Sequence, residues 1–305
     1  MSGALRTIVE IAVGEAPDQV AAADADALIA AAVAAGVTAI RLRDSISAHR
    51  TIDPSVAAAH LAGRHPGIGW IVDTPTTHNA PYNLARRILS FDRATDGRAG
   101  VVLTAGAGDE VSDAAAPDPL AVDPSQRWTE YATILTRLWE SFPRAALRGD
   151  QNDAVVADDT LIRPIDVNGQ FYRVAGPLDS PSSVQGRPVL LAADPDALGW
   201  NRIARVADGA ITEPEDISAA ARNLSAAAAA AGRRRGAVVL LARTDTAAAW
   251  EQLGTRGADG IVLAVAGGAS AILAALHTLP APTQPTHRGS LREQLGLPFP
   301  EGVLT

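Results

Sequence analysis

The chain contains no cysteine. Disulfides, thiolate metal ligands and cysteine nucleophiles are therefore excluded. Lysine is absent too: all 26 basic residues are arginines, read here as codon bias rather than as an arginine-built anion site. Aromatic residues are only 4% of the sequence, so the 47% hydrophobic share leans on alanine. Positive charge is short as well. The net charge is −8, and no basic patch dense enough for a nucleic-acid surface is present. No stretch reaches the roughly 18 uninterrupted apolar residues of a membrane span, because Asp or Arg breaks the alanine-rich segments. The first residues show no charged leader followed by a long apolar core. Cytoplasmic residence is the default expectation. The signatures G-x-S-x-G and H-E-x-x-H are missing. GAGDEV at 106–111 lacks the third glycine of a dinucleotide fingerprint. His60 and His65 have no third ligand at metal spacing, so no metal site is expected.

What is present is a regular alternation over 305 residues, a length suited to one large domain or two ordinary ones. TIVEIAVG (7–14) is β-branched and ends in glycine, which predicts a strand. A helix over 16–36 follows, with proline in its first turn and Gly36 at its end. Strand 37–44, helix 53–65, strand 69–74 and a helix from Pro81 come next, the last with Leu84, Ile88 and Phe91 on one face. Strand 100–105 precedes an amphipathic helix over 125–142. The rhythm breaks between 143 and 186, where Asn168-Gly169 predicts an inserted β-hairpin with a two-residue turn. It resumes with strands 187–193, 208–212, 237–242 and 259–265, each followed by a helix (196–206, 213–236, 246–257, 268–279). Eight βα pairs are enough to close a (β/α)8 barrel over 1–280, since parallel neighbours need a helical crossover. The proline-rich tail 281–305 is expected to drape over the outside of the barrel.

In such a barrel the loops after the strands form the active face. Asp44 and Ser45 follow the second strand; Thr74, Thr76, Thr77 and His78 follow the third; Thr104 follows the fourth. A ligand there would meet hydroxyls and a carboxylate. Turn and capping chemistry is the competing account of the same residues.

PYNLARRILSFDRATDGRAG resembles the PY-x-x-AR…D-x-x-(S/T)-x-GRAG segment of the bacterial luciferase-like flavin monooxygenases, in their nitrilotriacetate and dibenzothiophene-sulfone branch. RWTEYATILTRLWESF, IDVNGQFYRVAGPLDSPSSVQGRPVLL, LGWNRIARVADGAIT and SLREQLGLPFP match further segments of that branch, in order. The resemblance covers roughly residues 37 to 300. It implies a (β/α)8 barrel that takes reduced FMN from a separate NAD(P)H:flavin reductase and oxygenates a small organic substrate. It also implies frequent homo-oligomers, and related barrels use a deazaflavin instead. The flavin carries the hard chemistry in such enzymes, so no catalytic side chain is singled out. By the resemblance, Asp44 matches the family's acidic residue after strand two, and Thr74 and Thr76 lie beside the flavin ring.

The departures from the pattern lie where the FMN phosphate is held. Trp128 stands in place of a tyrosine, Pro124 in place of a histidine, and Asp196 in place of a serine. VVLTAG lacks the asparagine of the corresponding strand. Two like charges ~4 Å apart at an effective dielectric of ~20 repel by about 4 kcal/mol, half of what micromolar binding provides. An Asp196 carboxylate aimed at the phosphate would therefore be costly, whereas one turned outward would leave backbone N–H groups for the anion. The family's long insertion after the seventh strand is missing. Two readings follow: an FMN-dependent monooxygenase, or a non-catalytic barrel relative acting as a partner subunit or small-molecule binder.

Overall fold

The computed structural model describes residues 6–46, 49–106, 109–280 and 289–300; most of the proline-rich tail (281–288, 301–305) and part of GAGDEV (107–108) lie outside them. Eight parallel strands close into a barrel: β1 Thr7–Ile11, β2 Ala39–Leu42, β3 Gly69–Pro75, β4 Ala99–Thr104, β5 Val189–Ala192, β6 Gly209–Thr212, β7 Val239–Thr244 and β8 Gly260–Leu263. Each strand pairs with its sequence neighbours, and β1 closes the ring on β8. Helices alternate with them: α1 Ala22–Ala34, α2 Pro54–Ala62, α3 Pro81–Ala94, α4 Pro124–Glu140, α5 Trp200–Val206, α6 Ile217–Ala230, α7 Trp250–Thr255 and α8 Gly268–Leu276. Local chemistry starts several of them. Pro81 opens α3, and Asp53 and Asp123 cap α2 and α4 by accepting from backbone N–H groups, the preferred N-cap arrangement.

The strands read as near-continuous apolar runs because both faces are covered, which is what a parallel sheet requires. Side chains nevertheless alternate between two cores. Val9, Ile40, Trp70, Val72, Val101 and Leu103 pack against the helices. Ile8, Ala39, Ile71, Val102, Leu191, Leu241 and Val262 fill the lower interior of the barrel. Leu291, Leu295 and Leu297, from a late segment containing the short helix Leu291–Gln294, complete this inner core. They seal the end where the strands begin. A methyl group on Gly69 would stand 2.7 Å from Leu291 Cδ1, and one on Gly100 2.9 Å from the Val189 carbonyl. Glycine is needed at both places for that close approach.

The insertion between α4 and β5 contains two small hairpins, Leu147–Asp150 with Val155–Ala157 and Val167–Asn168 with Arg173–Val174. The second replaces the expected two-residue turn. Asn168 pairs with Arg173, so the loop holds four residues, 169–172. Neither Asn168 nor Gly169 has positive φ. The reason is Glu130 of α4, whose carboxylate accepts from the backbone N–H groups of Gln170, Phe171 and Tyr172 at 2.7–3.2 Å. The expected helix over 196–206 is likewise split. Gly199 adopts φ 90 and separates the turn Pro195–Leu198 from α5.

Candidate active site

The upper interior of the barrel is ionic. Glu10 on β1, Arg41 on β2 and Asp73 on β3 point inward above the apolar layer, and Arg43, Arg243 and Glu213 join them at the mouth. Arg41 grips Asp73 with two bonds, Nε to Oδ1 at 2.8 Å and Nη2 to Oδ2 at 2.9 Å, and reaches Glu10 Oε2 with Nη1 at 2.8 Å. Arg43 Nη1 donates to Glu10 Oε1 at 3.0 Å, and Arg243 Nη2 to the same oxygen at 2.9 Å. Arg243 Nη1 also lies 3.6 Å from Glu213. Three cations meet three carboxylates, so the cluster is neutral in sum. Burial opposes the charge on Glu10, but the Arg243 hydrogen bond and the neighbouring guanidinium charges win and hold its carboxyl below the usual range. Arg41 is almost fully buried, whereas Arg43 and Arg243 keep about a third of their side chains exposed (29% and 35%). These two guanidiniums form the accessible floor of the mouth.

The rim above carries part of the sequence-predicted set. Asp44 is exposed just past β2; partial burial, then the charge of Asp53, push its carboxyl up. Thr104 shares the inward face of Val102 and is partly exposed. Thr76 ties two rim loops together: its N–H donates to the Thr104 carbonyl (3.0 Å), its hydroxyl accepts from Gly106 N–H (3.1 Å), and its carbonyl accepts from Tyr172 (2.9 Å).

The other three positions face elsewhere. Thr74 falls one residue out of step with Asp73, on the helix-facing side with Trp70 and Val72, because side chains alternate along a strand. Trp128 is fully buried beneath β4, its indole N–H donating to the Leu103 carbonyl at 2.8 Å. Asp196 is exposed and accepts from the Trp200 indole at 3.0 Å, so its carboxylate is turned outward. Positions 44, 74 and 196 therefore do not converge on one hollow.

Beside the mouth lies a cavity of about 1000 Å³, walled by the loop after β3, residues 115–117 and the hairpin arm, with His78, Tyr82, Asp109, Phe171, Tyr172 and Val174 in its lining. That is the upper end of the size range of small-molecule sites. Edge-to-face packing of Tyr131 on Tyr172 (centroids 5.4 Å apart) and Arg127 over the Phe171 ring (5.2 Å) fix the hairpin wall. Burial pushes the Tyr172 hydroxyl up, and it serves as a hydrogen-bond donor to Thr76. Between β7 and β8 only a short turn and α7 intervene. Among the described residues no group of three or more His, Asp or Glu is arranged to hold a metal ion, and no helix is long and apolar enough to cross a membrane.

Residues 6–293 match the family described as luciferase-like monooxygenase. The chain belongs to that family. Among curated luciferase-like relatives, nitrilotriacetate monooxygenase component A of Aminobacter aminovorans is 29% identical over 183 residues, 58% of this chain and 40% of its own length. A pristinamycin IIA synthase subunit of Streptomyces pristinaespiralis is 28% identical over 275 residues, 90% of this chain and 88% of its own. Of solved structures, EDTA monooxygenase from Chelativorans sp. BNC1 superposes with a TM-score of 0.73 at 18% identity, covering 97% of this chain and 99% of that one. The match with the nitrilotriacetate enzyme thus spans two fifths of that protein, whereas the match with the synthase subunit is nearly end to end.

Proposed function

We propose that the chain is the oxygenating component of an FMN-dependent monooxygenase. It takes reduced FMN from a separate NAD(P)H:flavin reductase and oxygenates a small organic substrate. The observation that carries this reading is the family match across almost the whole barrel. The open cavity on the face where the strands end supports it, since barrels of this kind work there.

The residues present suit the ring of FMN better than its phosphate. Arg43 and Arg243 offer guanidinium donors on the floor and Thr104 a hydroxyl on the wall, which suits the carbonyl-bearing edge of a flavin ring. At the phosphate positions, the Trp128 N–H is engaged by Leu103 and Asp196 is an acceptor facing outward. No side-chain donor remains there from the family pattern. When bound, the flavin supplies the electrons and activates oxygen; the chain positions ring and substrate and limits water. Titration with FMN and with riboflavin tests this account. Saturable binding is expected, with the two affinities within about threefold, under 1 kcal/mol. No binding of either at high micromolar concentration refutes the reading. A deazaflavin titrated in parallel separates the two cofactor classes. Self-association and cytoplasmic residence belong to the same proposal, the first checked by light scattering.

Two observations favour a second reading, a non-catalytic partner subunit. Six charged side chains at the mouth pair with one another, and the end-to-end relative is by its name one subunit of a larger enzyme. Failure to bind flavin alone, with co-elution beside a second luciferase-like chain, is the outcome that selects it.

A further inference from the structure

The run GRRRG (232–236) lies between α6 and β7, and its three arginines go separate ways. Arg235 pairs with Asp259 at 2.9 Å. Arg233 donates to the carbonyls of Ala204, Ala207 and Ala237 at 2.7–2.9 Å. Arg234 is exposed and lines a hollow of about 240 Å³ at the end of the barrel where the strands begin. The other arginines of that hollow are Arg233, Arg187 before β5, Arg205 in the last turn of α5, and Arg292 of the seal; its carboxylates are Glu140 at the end of α4 and Asp208 before β6. Both carboxylates are already engaged. Asp208 accepts two bonds from Arg292, at 3.1 and 3.0 Å, and one from Arg187 at 3.2 Å, while Glu140 lies 3.3 Å from Arg187. Arg205 and Arg234 are exposed and have no hydrogen-bond or ion-pair partner among the described residues. Two unpaired guanidiniums on one hollow repel each other, and an anion bound there relieves that repulsion. The guanidinium fork matches phosphate oxygens and keeps its charge at every working pH. The volume falls short of the usual range for a drug-sized ligand, which suits a small anion.

We propose that this hollow binds a small phosphate anion, gripped by Arg205 and Arg234, with Arg187 at its inner wall. It lies at the opposite end of the barrel from the mouth, so it stands apart from the oxygenase reading. Pro298, Phe299 and Pro300, which follow the seal in sequence, line the same hollow. The anion thus sits where the late segment meets the loops before β5, β6 and β7. A ligand that binds only the folded chain stabilises it, and here it holds that late segment on the underside of the barrel.

Calorimetric titration of the full chain with pyrophosphate, without flavin and at constant ionic strength, tests the site. Saturable binding is expected, with a melting temperature raised by roughly 3 °C at tenfold over Kd. Arg205→Gln with Arg234→Gln removes two side chains that have no partner to lose, so melting without ligand should match the parent, and binding should weaken by at least about tenfold. Arg93→Gln with Arg222→Gln makes the same change in net charge on exposed helix positions outside the hollow and should leave Kd within about twofold, because salt screens distant exposed charges. Equal weakening by both pairs, or a melting rise that sodium chloride of matched ionic strength reproduces, shows general charge screening and overturns the site. Absence of saturable binding overturns it as well. ADP titrated in parallel separates the sources: binding of pyrophosphate alone assigns the site to the free anion, and ADP binding as tightly assigns it to a phosphate carried by a larger molecule.

Discussion

Asp92 of α3 is fully buried. Its Oδ1 accepts from the Ala99 N–H at 2.8 Å and from Gln185 Nε2 at 2.7 Å. Burial, only partly offset by Ser183, Ala99, Gln185 and the charge of Arg292, pushes its carboxyl from the usual 3.8 up to about 7. A raised folded-state value means that the folded chain holds the proton longer than the unfolded chain. Stability is therefore greatest below the ordinary carboxylate range and is lost as pH rises through about 7. Each tenfold in proton affinity is worth about 1.4 kcal/mol, so the whole loss is on the order of 4 kcal/mol. Asp92→Asn keeps an acceptor for Ala99 and Gln185 and removes the ionisation. Urea unfolding at closely spaced pH values from 5 to 8.5 is the assay. The parent should lose about 3 kcal/mol between pH 5 and about 7 and level off above that, and the variant should follow a flatter curve and be the more stable of the two at the alkaline end. Parallel curves would refute the reasoning.

Three further outcomes are expected. Arg41→Met removes the buried guanidinium that grips both Glu10 and Asp73, leaving them to the more exposed Arg43 and Arg243, and should cost about 3 kcal/mol in denaturant unfolding; a cost under 1 kcal/mol contradicts the ionic mouth. Asp196→Ser should leave flavin affinity unchanged within about twofold, because the native carboxylate already faces Trp200; a tenfold gain shows that it opposes the phosphate. Leu291→Ala should cost about 2–5 kcal/mol, read by thermal or denaturant melting; a neutral effect means the inner core does not depend on that seal.

The barrel itself is legible in the sequence. Eight apolar runs alternating with helical periodicity map onto the eight strands with ends displaced by a few residues, since frayed termini depend on neighbours that a sequence does not display. The turn expected at Asn168-Gly169 lies elsewhere because Glu130, about forty positions upstream, organises the loop through three backbone N–H groups, a contact without a local signal. The split at Gly199 is hidden because the run from 196 to 206 has helical composition on both sides of it. The site is less legible. Runs such as GWIVDT are apolar on both faces, so inward and outward positions look alike, and Thr74 takes the side opposite to the expected one. One signal is available. Glu10, Arg41, Asp73 and Arg243 each interrupt an otherwise apolar strand near its end. A charge in that position on several strands marks the inward face, where partners from neighbouring strands can neutralise it.

The seal formed by Leu291, Leu295 and Leu297 also has a consequence for biosynthesis. On the ribosome all eight strands are made before residues 291–297, so a chain arrested at residue 280 can complete its ring yet still present a greasy underside to water. The stopper arrives late, and until it docks such a nascent barrel is a natural client for chaperones and a target for proteases.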